Sequence, residues 1–303
     1  MSRITFLDNA AEGKNNWWRY IITIILTWFT LYIFLILFLI YTRNAYYLVS
    51  ILSDPLQSIE FLGLSSIVSI LFLYIGVRFI NERKFMSIVN TNSNFSWRRV
   101  LKGAGIWFGL LTLGLVISLI LNPTNLNVTF NPQTFLIWLI ISLAVFPIQA
   151  SFEELFFRGY LMQAIGRIRI KRLHVGLLAK KPVIPLITTS IIFALLHYTN
   201  GSNTMSSVDI VLQVFIIGLT LGIITLGENR LETAMGVHIA NNIFVALIIN
   251  SSSGGFGNVP SLLTDTSTPN LLLDFPIFVL YALLLLLIIF WGKKENIIRI
   301  FKS

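Results

Sequence analysis

Three clusters of polar side chains interrupt otherwise apolar stretches, and each is spaced like one face of a helix. The first is Glu153-Glu154-Leu-Phe-Phe-Arg158. On an α-helix Glu154 and Arg158 lie one turn apart with the glutamate first, the favourable order for an ion pair. Glu153 is turned about 100° away from Glu154. The arginine therefore compensates Glu154 most directly and leaves Glu153 free to act as general base toward a water molecule. An interfacial charge pair with a neighbouring glutamate would use the same residues. The second cluster is Phe193-Ala-Leu-Leu-His197. Imidazole titrates near neutrality, which suits proton transfer, although a single histidine at a span end also serves as an interfacial residue. The third is His238-Ile-Ala-Asn-Asn242. His238 and Asn242 stack on one helical face, and two donors on one face can hold the oxyanion of a tetrahedral intermediate. Asn241 lies nearly on that face as well. Hydrogen bonding between helices, worth about 1 kcal/mol in a membrane, is the competing use of these side chains.

These residues matter because of what surrounds them. Of the 303 residues 55% are hydrophobic and only 12% charged, with a mean hydropathy of +0.80. Soluble domains carry about 25% charged residues; a chain this poor in charge has to be solvated largely by lipid. A carboxylate, guanidinium or imidazole inside a spanning helix costs a few kcal/mol on insertion scales, so it is presumptively functional.

Eight segments approach the roughly 20 apolar residues needed to cross a bilayer, near 20–41, 61–80, 104–121, 134–157, 183–199, 208–226, 232–250 and 271–291. The fold class expected is all-α, a polytopic helical bundle. The first segment is too long for a signal-peptide core and reads as a span, with Trp17, Trp18 and Tyr20 at one end and Tyr41, Tyr46 and Tyr47 at the other, as interfaces favour. The net charge of +9 reflects loop placement rather than nucleic-acid binding. Arg83, Lys84, Arg98, Arg99 and Lys102 follow the second span. Arg167, Arg169, Lys171, Arg172, Lys180 and Lys181 follow the fourth, Arg230 the sixth, and Lys293, Lys294, Arg299 and Lys302 the eighth, while Arg43 stands alone in the other set of loops. With eight spans every basic cluster, and both termini, fall on the cytoplasmic side.

That topology sets a problem. A fourth helix ending at 157 puts Glu153 near the cytoplasmic face, whereas His197 comes late in a helix running outward. A longer fourth helix reaching about Met162 brings Glu153 deeper. Among the remaining features, Gly218 and Gly222 form a GxxxG suited to close helix packing. Residues 163–181 read as a basic loop or a headgroup-binding amphipathic stretch, in which His174 is assigned no role. Residues 250–270, rich in Ser, Gly and Thr, read as a flexible loop. There is no cysteine, which removes disulfides and thiolate metal sites.

Together the three clusters resemble the CAAX protease and bacteriocin-processing family, also called the Abi or type II CAAX prenyl protease family, whose pattern is EExxxR, FxxxH and HxxxN or HxxxD on successive membrane helices. The resemblance covers 134–250 and leaves 1–133, with three spans, and 251–303, with the last, outside it. It implies an intramembrane endopeptidase with Glu153 activating water, His197 assisting, Glu154 and Arg158 positioning that pair, and His238 and Asn242 forming the oxyanion site. The implied partners are membrane lipid and a peptide or membrane-anchored protein substrate, with no nucleic acid. No cofactor is expected. Members were long called metalloproteases, and zinc would fall to Glu153, His197 and His238, but the chain lacks the HExxH arrangement of a zinc hydrolase. The Ile- and Asn-rich composition reads as that of a bacterial cell-membrane protein. Two other classes remain open: a transporter using the buried ionisable groups as a proton relay, which the lack of an internal repeat disfavours, and a non-catalytic scaffold or bacteriocin-immunity protein.

Overall fold

The fold is described from a computed structural model, in which residues 5–42, 54–92, 94–167, 182–254 and 259–302 are described. Tyr46, Tyr47, Arg43, His174 and most of the 163–181 stretch lie outside those residues. Ten α-helical segments carry the described chain, the short Met162–Gly166 counted with α4: α1 (Trp17–Thr42), α2 (Pro55–Ile75), α3 (Trp97–Leu121), α4 (Pro132–Glu154, resuming at Met162–Gly166), α5 (Val183–Leu195), α6 (Thr204–Glu228), α7 (Glu232–Ile243), α8 (Leu271–Ile289) and α9 (Lys294–Lys302). With their extensions, six of them are long and apolar enough to cross a membrane: Pro55–Ile80, Trp97–Leu121, Pro132–Gly166, Val183–Asn200, Thr204–Glu228 and Leu271–Ile289. The protein is a membrane helical bundle.

Local sequence explains where several helices start. Asp54 accepts hydrogen bonds from the backbone N–H groups of Leu56 and Gln57 ahead of Pro55. Asn131 likewise caps α4 ahead of Pro132. Both pairings use the missing N–H of proline at a position where it would be unmet anyway. At the other end, Asn229 closes α6 in the left-handed conformation at φ 57°. Its side chain then accepts from the Phe6 N–H at 2.9 Å.

The basic segments gather at one end of the bundle. Lys14 pairs with Glu82 at 2.6 Å, and Lys14 is the leading cause that holds the Glu82 carboxyl below its usual range. Asn9 donates to the carbonyls of Ser87 and Asn90, so the N-terminal segment seals this end, with Phe6 and Leu7 buried in the core. Arg83 is fully buried there and donates to the Asn9 carbonyl and to Gln163. Burial pushes its pKa below the ordinary arginine value, opposed by the neighbouring Tyr20 and Tyr160 hydroxyls. At the opposite end, residues 126–128, 249–251 and 263–265 form a three-stranded sheet in the order β1-β3-β2. The 250–270 stretch is thus partly ordered, its flanks paired to each other and to the loop after α3.

Helices α3 and α8 sit at the lipid-facing periphery: only 11% and 17% of their apolar stretches are buried, against 50% for α6. The core is aromatic, with Trp28 of α1 packed edge-on or tilted against Phe152, Phe156 and Phe157 of α4. The seventh apolar segment differs from a full span. It runs only from Glu232 to Ile248, about 26 Å at 1.5 Å per residue. Every residue from Leu231 to His238 is buried by protein, so this helix has little need to match the lipid thickness.

Candidate functional site

The fourth helix does not stop at 157. Beyond Glu154 it widens into a π-helical segment, Leu155–Leu161, and resumes as Met162–Gly166. Such widened turns are rare and concentrate at functional sites. The continuation carries Glu153 into the middle of a 35-residue helix, which removes the conflict of levels between Glu153 and the other clusters. Tight packing holds the partner helix in place. A Cβ on Gly236 of α7 would lie 1.9 Å from the Val100 carbonyl oxygen, and one on Gly103 of α3 would lie 2.2 Å from the Thr233 carbonyl oxygen. The backbones of α3 and α7 therefore touch, and the next turn of α7 presents His238.

Glu154 and Arg158 form a buried pair at 2.8 Å, 0% and 1% exposed. The guanidinium is held three ways. It donates to Glu154 and to the Gly218 carbonyl, and its carbon lies 4.3 Å from the centre of the Phe193 ring. Glu154 Oε1 also meets His238 Nδ1 at 2.8 Å. An ionised carboxylate can only accept, so Nδ1 carries the proton and donates. The other nitrogen, Nε2, faces Glu153 Oε2 at 3.4 Å. That oxygen is buried and has no hydrogen-bond partner in the protein. The histidine thus stands between two carboxylates of different character, one neutralised by Arg158 and one not.

A second contact lies one turn back along α4 and one turn forward along α7. Gln149 Oε1 accepts from Asn242 Nδ2 at 2.8 Å. Because α4 and α7 run antiparallel, Glu153–His238 and Gln149–Asn242 are successive rungs between them. Asn241 faces away toward α3, where its Oδ1 accepts from Trp107 Nε1 at 3.1 Å, and its Nδ2 donates to Asn242 Oδ1 at 3.3 Å. Asn242 is therefore oriented from both sides and retains one N–H. Gln149 and Trp107 are absent from the sequence-derived set, in which Asn241 stood only as a neighbour of the His238 face. The signal for Gln149 was present: a polar residue inside an apolar span, one turn before Glu153. Trp107 carried none, since it meets Asn241 from 134 residues away.

His197 is placed differently. It ends α5 with its Nδ1 on the Phe193 carbonyl at 2.8 Å. A carbonyl accepts, so this nitrogen donates, and Nε2 has no hydrogen-bond partner among the described residues. Among the described residues no hydrogen bond or ion pair joins it to either glutamate. Its link to the rest is the Phe193 ring, whose centre lies 4.7 Å from the His197 ring and 5.7 Å from the His238 ring.

Glu153, His197 and His238 do not fit a zinc ion as they stand. Among the described residues no three His, Asp or Glu side chains converge as a metal needs. The glycines of the GxxxG serve packing: a Cβ on Gly222 would lie 2.3 Å from Leu186 of α5, and one on Gly218 would meet Ser190 and Arg158.

Residues 131–244 match the family described as type II CAAX prenyl endopeptidase Rce1-like. That segment contains all three polar clusters and Gln149, while Trp107 lies before it. A protein of Bacillus subtilis (strain 168), YyaK, of uncharacterized function, is 31% identical over 265 residues, covering 84% of this chain and 85% of its own. No solved structure matches.

Proposed function

The chain belongs to the Rce1-like family of type II CAAX prenyl endopeptidases, and from that premise we propose that it is an intramembrane endopeptidase in which Glu153 activates water against a peptide bond of a membrane-anchored substrate. One observation carries the reading. Two adjacent glutamates occupy one site with different electrostatic settings: Glu154 Oε1 is held by Arg158 and His238 while its Oε2 is buried and unmet, and Glu153, with no arginine beside it, offers an unmet oxygen 3.4 Å from His238 Nε2. Buried acceptors are almost always satisfied; one left open beside an imidazole suits a polar reactant.

In this mechanism Glu153 takes a proton from water as the oxygen adds to the scissile carbonyl. The oxyanion of the tetrahedral intermediate is held by the free N–H of Asn242 and by His238. With Nδ1 donating to Glu154, His238 contributes to the oxyanion site through Nε2, the nitrogen that faces Glu153. Collapse of the intermediate breaks the C–N bond, and the proton on Glu153 passes to the leaving amine. The products are a carboxylate and an amine. Arg158 and Glu154 hold His238 in one tautomer and one orientation. Gln149, Asn241 and Trp107 do the same for Asn242. His197, with its free Nε2, is assigned an assisting role toward the water or the substrate from the other side of Phe193. The eight-span topology with both termini cytoplasmic belongs to the same proposal, supported by the gathering of the basic segments at one end.

The test is cleavage of a panel of membrane-anchored peptides, with and without a prenyl group, by the purified protein in lipid vesicles. Wild type is compared with Glu153→Gln, with and without a chelator. Cleavage that survives the chelator and is lost in the variant supports the reading. Cleavage lost to the chelator and restored by zinc overturns the metal-free mechanism. Full biological function in a strain carrying Glu153→Gln overturns the peptidase reading in favour of a scaffold.

A further inference from the structure

The basic end carries a second feature that peptide hydrolysis does not use. A cleft of about 500 Å³ is lined by Ser96, Arg98, Arg99, Lys102 and Lys293, so four of its five lining residues are cations. Only Arg99 has a counter-charge, Glu228 at 2.9 Å. Arg98, Lys102 and Lys293 make no ion pair among the described residues. Like charges brought together around a concavity raise a positive potential that an anion relieves.

The position of the cleft says which anion. It lies where α3 begins and α8 has just ended, between two spans that pack on each other through Trp107 and Phe278 and through Gly114 and Tyr281. Trp97 and Trp291 flank it, 69% and 83% exposed, and Phe95 stacks edge-on against Trp97. Exposed tryptophans at span ends mark the level of lipid headgroups. Leu101, one turn into α3 from Trp97, is 70% exposed and continues the same surface into the acyl region. Cations at headgroup depth over an apolar helix face match both halves of a phospholipid. Basic pockets between spanning helices bind acidic headgroups on this principle.

We infer that the Arg98–Arg99–Lys102–Lys293 cleft is a binding site for the phosphate of an anionic phospholipid. Occupancy braces the bundle through Arg99, because Glu228 at the end of α6 also accepts from the Thr233 hydroxyl of α7 at 2.6 Å. The cleft wall, the end of α6 and the first turn of α7 are thereby joined. This inference is independent of the peptidase reading, since its test needs no substrate.

The full-length protein is purified in a neutral detergent and melted with added phosphatidylglycerol, phosphatidylcholine or inorganic phosphate, with lipid retention followed by native mass spectrometry. Phosphatidylglycerol is expected to raise the melting temperature saturably and to stay bound, whereas phosphatidylcholine and phosphate do neither. A basic residue near an anionic lipid contributes roughly fivefold in affinity. The exposed triple variant Arg98→Gln/Lys102→Gln/Lys293→Gln should therefore bind about a hundredfold more weakly, with an unchanged melting temperature in phosphatidylcholine. Lys293→Gln alone should bind about fivefold more weakly and serves if the triple variant does not express. Lys84→Gln, at the same end but outside the cleft, should bind as wild type does. Equal stabilisation by phosphatidylcholine, a cleft variant that binds like wild type, or full stabilisation by phosphate alone overturns the assignment, the last by giving the cleft to a free anion.

Discussion

Neutralising each of the two adjacent glutamates separately should divide stability from activity. Glu154→Gln leaves Arg158, 1% exposed, with a buried charge and no ionic partner. Breaking a buried pair from one side costs about 3–5 kcal/mol. At about 2–4 °C per kcal/mol for a chain of this size, the melting temperature should fall by roughly 10 °C. Glu153→Gln removes no ion pair of that kind. Its Oε2 is buried and unmet, so exchanging a charge for an amide there should leave the melting temperature within about 2 °C of wild type, or raise it. Cleavage should respond the other way round. Loss of a general base costs about 10²–10⁴-fold in kcat, so Glu153→Gln should be nearly inactive while folded. Glu154→Gln should keep measurable turnover at temperatures where it remains folded. The assay is thermal melting of both variants in one lipid, paired with initial rates on a fluorogenic anchored peptide. Equal losses of stability in the two variants, or an active Glu153→Gln, would refute the assignment of roles.

Further outcomes follow from the same geometry. Gln149→Met, which keeps the volume but removes the acceptor of Asn242, should lower kcat about tenfold with KM unchanged. Asn242→Ala should lower it about 10²–10³-fold, and the double variant should be no worse than Asn242→Ala alone. Arg158→Lys should not restore the site in melting or turnover, because a lysine cannot meet Glu154, the Gly218 carbonyl and the Phe193 face together. Gly236→Ala places a Cβ 1.9 Å from the Val100 carbonyl and should destabilise by about 1–3 kcal/mol through forced separation of α3 from α7, read by melting. Phe6→Ala empties a fully buried position where the N-terminal segment docks and should cost about 3–5 kcal/mol, read the same way.

The membrane class and the three polar clusters were legible because both depend on composition and local spacing. Helical period alone put Glu154 with Arg158 and His238 with Asn242. Contacts between helices were not legible. The bond from Trp107 to Asn241 spans 134 residues, and no local pattern announces it. The sheet at the far end joins three strands of three residues each, too short to show alternation, so residues 250–270 read as loop. The level conflict between Glu153 and His197 arose from ending the fourth helix at 157. The apolar run 155–165 itself favours the longer fourth helix that the structure has; what the pattern does not show is the widening at Leu155–Leu161, which keeps Arg158 and Tyr160 buried rather than at an end. His197 was placed correctly at the end of the fifth helix, but spacing could not show that Phe193 would stand against both imidazoles.

The two rungs between α4 and α7 also explain how a site made of polar residues survives in an apolar bundle. Sliding α7 by one turn in one direction would set Asn242 against Glu153 and Ala246 against Gln149. Sliding it the other way would set His238 against Gln149 and Ala234 against Glu153. Ala234 and Ala246 are both fully buried and offer no side-chain hydrogen bond, so either slip strands polar groups. Each stranded group costs about 1–3 kcal/mol, a penalty that uniform apolar faces would not impose on a wrong register. Gly103 and Gly236 add a steric lock on the α3 side, since a slip would replace their backbone contacts with side chains. The five side chains that pair across α4 and α7, Gln149, Glu153, Glu154, His238 and Asn242, thus specify the helix register as well as the proposed chemistry. Replacing Gln149, Glu154, His238 or Asn242 should therefore perturb the geometry of the others, not merely remove its own function.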